Sequence, residues 1–263
     1  MAFFEEKISN RIYLKSDFFE DESVTHAFTT SKGGVSQGII KGFNLGFNTK
    51  DKRGSVLENY RLLSLDLGFD LSHTVISKQT HTDNIRIVTK DDMGKGVTRE
   101  SDIEDTDGLI TDVKNLPLVV FSADCTPLLL YDKEREVIAA IHAGWRGTVK
   151  KIAKKAVSLM KENFECNPEN ILAAIGPSIG PCCFEFGREA NEIFDGKYLT
   201  SKEDKYMVDI WSFNKDQLML EGIPERNIDI SSVCTVCNSN KYFSYRAHKE
   251  RTGRQAALIL LKD

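Results

Sequence analysis

The sequence lacks a long apolar run. No stretch approaches the roughly 18 residues of a membrane span, and the longest, such as AALILL near the C-terminus, are strand-sized. Membrane insertion is therefore not expected. Basic charge is not in excess either: 35 Lys and Arg face 39 Asp and Glu, a formal net charge of −4. Nucleic acid is thus not the expected partner, and the acidic balance is too mild for a disordered acidic segment. The start MAFFEEKISN carries two Glu where a secretory signal needs Lys or Arg before an apolar run, so a cytoplasmic location is expected. Internal repeats, low-complexity segments and linkers are missing. Histidine is scarce, with only five residues: His26, His73, His81, His142 and His248.

What is present is a chain of 263 residues, 41% hydrophobic and 28% charged. That is enough for a sizeable core, and one continuous domain over residues 1–263 is the simplest organisation. The six cysteines, Cys125, Cys166, Cys182, Cys183, Cys234 and Cys237, are expected as thiols or metal ligands in a cytosolic chain. Apolar residues recur at helical spacing over Ser55–Leu67, with Gly68 as the stop, and over Gly147–Phe164. Lys150, Lys151, Lys154, Lys155 and Lys161 in the second segment read as a solvated face. A third helix is expected around Ile210–Glu221. Strand-like runs fall at Val24–Thr29, Thr74–Ser77, Ile85–Thr89, Leu116–Phe121, Leu128–Tyr131, Val137–Ile141, Ile171–Ile175 and Ala256–Leu261. Strands outnumber helices without alternating strictly with them, which predicts an α+β fold with mixed sheets.

The residues suited to chemistry fall beside these strands. KQTHTDN places His81 just after one, SADCTPLLL places Cys125 between two apolar runs, and IAAIHAGWRG places His142 at a strand end before a helix. Two imidazoles and a thiolate suit zinc and leave a fourth position open. Their spacing is long and irregular, however, and on residue types alone satisfied histidines beside a buried thiol are the favoured reading. After His142, AGWRGTV leads into a helix whose first N–H groups, with Arg146, suit an anion. An exposed Arg146 after a glycine turn is the competing reading. IGPSIGPCCFEFG is a tight loop but no Walker loop, and its Cys182 and Cys183 are expected to pack. Cys234 and Cys237 have the C-x-x-C spacing of half a zinc site, with no second such pair to complete it, and are expected to be structural. Lone arginines are most often exposed, but Arg246 follows an aromatic-rich run, YFSY, from which it could reach a pocket.

Taken in order, HAFTTSKGGVSQG with FNLG, KQTH, SADCTPLLL, HAGWRG, GPSIGPCCFEFG and YFSYRAH with TGRQAAL resemble the blocks of the bacterial YlmD/YfiH family, also called the multicopper polyphenol oxidase or laccase-domain family. They run from about residue 25 to 260. The resemblance implies one α+β domain with mixed sheets layered between helices, and one zinc held by His81, Cys125 and His142. It implies phosphorolysis of adenosine, inosine, guanosine and methylthioadenosine, with adenosine deaminase activity. Asn44 of the NLG block and Gln79 of the KQTH block become candidate substrate contacts. Where the family often has Arg after FTT, this chain has Ser31 followed by Lys32, and Thr82 stands where Gly is common.

On this reading the substrates are a purine nucleoside and phosphate. Arg146 would hold phosphate, and Asp124, beside Cys125, would orient a ligand or shuttle a proton, unless it only caps a turn. Three rivals stand beside it. A copper polyphenol oxidase would need many imidazoles, and five His without an His-x-His pair ligate three or four coppers poorly. A Cys–His or zinc-dependent amidase editing peptidoglycan precursors is the second, the thiol form using Cys125 as nucleophile and His142 as base. A non-enzymatic protein would hold a nucleotide-like ligand near the metal. No heptad or exposed apolar stripe speaks for a particular oligomer.

Overall fold

The computed structural model describes residues 3–20 and 22–263; Met1 and Ala2 of the MAFFEEKISN start, and Asp21, lie outside the described residues. Strands β1 (Phe3–Ile8), β2 (Arg11–Ser16) and β3 (Val24–Thr29) open the chain, and helix α1 (Arg53–Leu67) follows. Next come β4 (Val75–Ile76), β5 (Ile85–Ile87), β6 (Gly108–Thr111), β7 (Leu118–Ser122), β8 (Thr126–Asp132) and β9 (Val137–Ala143). Helices α2 (Trp145–Val149) and α3 (Ile152–Phe164) lead to β10 (Ile171–Ile175) and β11 (Glu185–Phe186). The remainder comprises α4 (Ala190–Ile193), β12 (Leu199–Lys202), β13 (Lys205–Val208), α5 (Ile210–Leu220), β14 (Ile228–Ile230), α6 (Tyr245–His248) and β15 (Gln255–Leu261).

Two six-stranded sheets form, in the orders β1-β2-β3-β15-β7-β4 and β14-β10-β8-β9-β6-β5, with a small third sheet β11-β13-β12. Each large sheet is antiparallel at its centre and parallel at β4–β7, β5–β6 or β10–β14. Side-chain alternation explains how they stack. Along β15, Ala257, Ile259 and Leu261 face a core shared with Leu129, Tyr131, Ile138 and Ala140 of the second sheet. Leu258 and Leu260 face the other way, onto Val56, Tyr60 and Leu63 of α1. Along β9, Val137, Ala139 and Ile141 turn outward onto Ile152, Ala156 and Met160 of α3. The layers are therefore helix, sheet, sheet, helix. The expected mixed sheets between helices are the architecture found.

Each expected strand coincides with an observed one in part or whole, and α1 ends at Gly68, whose φ of 71° suits glycine and whose N–H bonds the Ser64 carbonyl. The expected helix over Gly147–Phe164 is corrected: it is two helices, broken at Lys151, which takes φ 65° and ψ 42°. The Thr148 carbonyl accepts Gln217 Nε2 at 2.7 Å and the Lys151 N–H at 2.9 Å, so the regular ladder is diverted there. Lys154 and Lys161 pair with Glu221, and Lys150 and Lys155 with Asp83, on that outer surface. No helix among the described residues is long and apolar enough to cross a membrane.

Candidate metal centre

The chain crosses from the first sheet to the second between β7 and β8, and Cys125 sits on that crossing. β8 and β9 pair with Thr126 opposite Ala143 and Pro127 opposite His142, so the crossing places Cys125 beside the end of β9. His142 is the penultimate residue of β9 and is 3% exposed. His81 arrives in the loop after β4, with φ 67°. The three donate ligand atoms that lie within 4.8 Å of one another, and the two imidazole centroids are 5.1 Å apart.

Asp107 organises this meeting, and the sequence reading did not single it out. Its carboxylate lies 2.6 Å from His142 Nδ1. It accepts the backbone N–H groups of Thr80, His81 and Thr82 at 3.1, 3.1 and 2.8 Å, and the Thr82 hydroxyl at 2.9 Å. The His142 N–H donates to the Asp107 carbonyl at 2.7 Å. The positive φ at His81 lets successive N–H groups converge on one anion. With Nδ1 engaged, His142 keeps Nε2 for a ligand, the usual carboxylate–histidine support of a metal site. Thr82, at the position where the family commonly has glycine, supplies two of these bonds, and its hydroxyl bond is one that glycine lacks. The DTDG run that carries Asp107 was the available clue.

Charge in the site follows from this geometry. Burial of Cys125 opposes ionisation, but His142 and His81 outweigh it and bring the thiol down to about 6. Burial works against protonated His142, yet Cys125 and Asp107 raise it to about 9. Burial likewise opposes the Asp107 carboxylate, and His142 with the Thr82 and Thr80 amides holds it down at about 2. A soft thiolate and two imidazoles fit a borderline divalent ion. A Cβ on Gly144 would lie 2.8 Å from His81 Cδ2 and 3.4 Å from Cys125 Sγ, so glycine there keeps the donor cradle open.

The trio forms one wall of a cavity of about 740 Å³. Phe47, Phe121, Trp145 and Phe184 supply aromatic walls, and Arg53 and Arg254 supply cations. Arg53 lies over the Phe47 ring at 4.7 Å. Burial holds Arg254 below its ordinary value, with Cys125 and Asp124 acting in the opposite direction.

The other sequence candidates are placed differently. Arg146 is exposed, stacks over Trp145 at 4.3 Å and stays outside the cavity lining. The structure does not bring it to the metal centre, and the helix it opens has only five residues. Asn44 is fully buried behind the wall. Its Oδ1 accepts the Gly46 and Arg254 N–H groups at 3.1 and 2.8 Å, so it sets the backbone of Arg254 without reaching the cavity. Gln79 lines the cavity, but its amide is engaged at both ends by the Phe121 backbone, at 2.9 and 2.7 Å. Asp124 also lines it, and its oxygens accept the Thr235 hydroxyl at 2.7 Å and the Arg246 N–H at 2.6 Å. Arg246 reaches the cavity while its guanidinium holds the carbonyls of Cys183 and Glu185 at 3.1 and 3.3 Å. Ser31 bonds the Lys241 carbonyl at 2.9 Å, and neither it nor Lys32 lines the cavity.

Fold and site together define a protein of two stacked mixed sheets with a His–Cys–His group, able to hold a metal, at the sheet ends. The chain belongs to the family described as multi-copper polyphenol oxidoreductase laccase, whose family model matches residues 25–262. It is 32% identical over 251 residues to the purine nucleoside phosphorylase YlmD of Bacillus subtilis strain 168, covering 92% of this chain and 90% of that one. It is 32% identical over 250 residues to adenosine deaminase RL5 from an unknown prokaryotic organism, covering 91% and 95%. The crystal structure of YlmD from Geobacillus stearothermophilus superimposes with a TM-score of 0.93 at 30% identity, covering 100% of both chains.

Proposed function

We propose that the chain is a zinc-dependent purine nucleoside phosphorylase with adenosine deaminase activity. The observation that carries this reading is one cavity with the His81–Cys125–His142 group, aromatic walls and three arginines, Arg53, Arg246 and Arg254. A nucleoside fits about 740 Å³, within the usual range for small-molecule sites. His81, Cys125 and His142 would hold zinc, which supplies a Lewis acid with a fourth position open.

The aromatic walls, Phe47 and Phe184 among them, bind the purine by apolar contact and stacking. Arg254 and Arg53 take the place first expected of Arg146 as the cations that hold phosphate. In phosphorolysis a phosphate oxygen bonds to C1′ of the ribose as the C1′–N9 bond breaks. The purine leaves with the electron pair and takes up a proton, and ribose 1-phosphate remains. Positioning and charge complementarity supply most of the rate gain. In deamination water adds at C6 of adenine and ammonia departs. Asp124 acts as a positioning residue, fixing the Arg246 backbone beside Cys125. Asp107 fixes His142. The domain spans residues 1–263 and works in the cytoplasm, where the six free thiols remain reduced. It acts on small molecules, with no membrane or nucleic acid as partner.

The test is release of free base from adenosine and inosine by the zinc-loaded protein, with and without phosphate, beside His81→Ala. Base released only with phosphate, and lost in the variant, is the expected result; ammonia from adenosine marks the deaminase. No product from either nucleoside with zinc bound sinks the reading. One observation favours a second reading as an amidase: Asp107 orients His142 against Cys125 in a Cys–His–Asp arrangement. A thiol amidase survives chelators and dies with iodoacetamide, whereas the phosphorylase loses activity to chelators. Copper oxidation is disfavoured by where the other histidines lie. His26 is buried against Phe19, and His73 bonds the Asn115 carbonyl. Of the five, only His81 and His142 line the cavity.

A further inference from the structure

The two cysteine pairs that the sequence leaves apart meet in space. The loop between β10 and β11 carries Cys182 and Cys183, and the turn after β14 carries Cys234 and Cys237. Backbone bonds bring the segments together: Ser178 N–H to the Val233 carbonyl at 3.2 Å and Thr235 N–H to the Ser178 carbonyl at 3.0 Å. The close approach needs Gly180, where a Cβ would lie 2.7 Å from the Trp211 ring and 3.3 Å from Cys234 Cβ.

We propose that Cys182, Cys183, Cys234 and Cys237 form a second metal site, a tetrathiolate centre for structural zinc. All four sulfurs lie within 4.8 Å of one another. Cys182 and Cys183 stand 3.6 and 3.5 Å from Cys237. A tetrahedron with Zn–S bonds of about 2.3 Å has sulfur–sulfur edges of about 3.8 Å, close to the two spacings from Cys237. The Cys234 sulfur receives the Gly180 N–H at 3.3 Å and the N–H groups of Val236 and Cys237. Several N–H donors on one sulfur stabilise a thiolate, the form that binds metal. The vicinal pair thus supplies the half-site that a lone C-x-x-C lacks.

A divalent ion held by the four sulfurs would link two segments far apart in sequence. The link braces the cavity: Phe184 follows Cys183, and Thr235, next to Cys234, bonds Asp124 at 2.7 Å. This site is independent of the cavity's chemistry.

Zinc per chain, measured by elemental analysis after desalting from zinc buffer, tests the proposal. The wild type should hold about two ions, and both His81→Ala/Cys125→Ala and Cys234→Ser/Cys237→Ser about one. One ion in the wild type and none in the cavity double variant would overturn it. One in the wild type, retained by the cavity variant and lost by the cysteine variant, supports it and counts instead against metal at His81. Because the cysteine variant can fail to fold, alkylation of the zinc-loaded wild type gives a second reading. Exposed Cys182 and Cys237 should resist iodoacetamide until a chelator is added. Rapid labelling without chelator, a disulfide among the four, or iron in place of zinc overturns the proposal.

Discussion

At the scale of single residues, the site depends on one carboxylate more than on its neighbours. Asp107 is fully buried and collects three loop amides, a hydroxyl and an imidazole. Asp107→Asn exchanges an acceptor oxygen for a donor and removes the charge beside His142. Zinc affinity should fall about 10- to 100-fold, read by chelator competition, while the circular dichroism spectrum persists. An unchanged affinity would remove Asp107 from its positioning role. His26 sets a different test, on stability. Its Nε2 accepts the Ser16 N–H at 2.9 Å, and burial, with Lys15 adding to it, lowers its pKa to about 3. Below the ordinary histidine value of about 6.5 the unfolded chain takes up a proton that the native chain refuses until about 3. Stability therefore falls as pH drops through that window, by about 1.4 kcal/mol per unit from this group. Urea midpoints from pH 7 to 5 should fall more steeply for wild type than for His26→Gln, which keeps an acceptor; parallel slopes would refute this. The His81–Cys125–His142 group, which could hold a metal, was legible in the sequence because its residues fall at strand ends and within the family's blocks. Asp107 was not, since one aspartate in a charged loop looks like any other until the loop closes around it. Arg146 misled because a strand–glycine–helix passage suits anions wherever its side chain then points.

At the scale of elements, periodicity carried the long segments and failed on the short or irregular ones. β15 and β9 read directly as apolar runs. β1, with Glu5, Glu6 and Lys7 on a half-exposed edge, carries no such run, and β6 spans only four residues. The break between α2 and α3 escaped because the apolar stripe continues across it; the cause lies in α5, whose Gln217 takes the Thr148 carbonyl. Lys151 pays for that break with a left-handed backbone that costs an L-residue roughly 1–2 kcal/mol. Lys151→Gly relieves the strain but gains freedom in the unfolded chain, so a net stabilisation of about 0.5 kcal/mol is expected. Lys151→Val should lose about 1 kcal/mol or more, because a β-branched residue tolerates the conformation worse. Urea unfolding of the pair measures both, and the opposite order would show that the bend is not strained.

At the scale of the whole molecule, the last strand in the sequence is an interior strand of its sheet. β15 pairs Ala257 with Phe28 of β3 on one side and with Val120 of β7 on the other, and all seven of its residues are buried. It separates the core between the sheets from the core under α1, so both depend on it. Arg254 immediately precedes it and lines the same cavity as His81, Cys125 and His142, which ties the site to completion of the C-terminal strand. Removing Gln255–Asp263 would strip Leu258, Ile259, Leu260 and Leu261 of burial worth roughly 1.5–3 kcal/mol each. Their sum rivals the roughly 5–15 kcal/mol that holds a domain folded. The truncated chain should accordingly show no cooperative melting transition and no ligand-dependent stabilisation. Ile259→Ala, by contrast, should cost about 2–5 kcal/mol and leave a folded protein with a lower denaturation midpoint. A truncated chain that still melted cooperatively would mean that β3 and β7 can close the sheet without β15. The cores on either side would then be separately stable, contrary to the shared strand that now divides them.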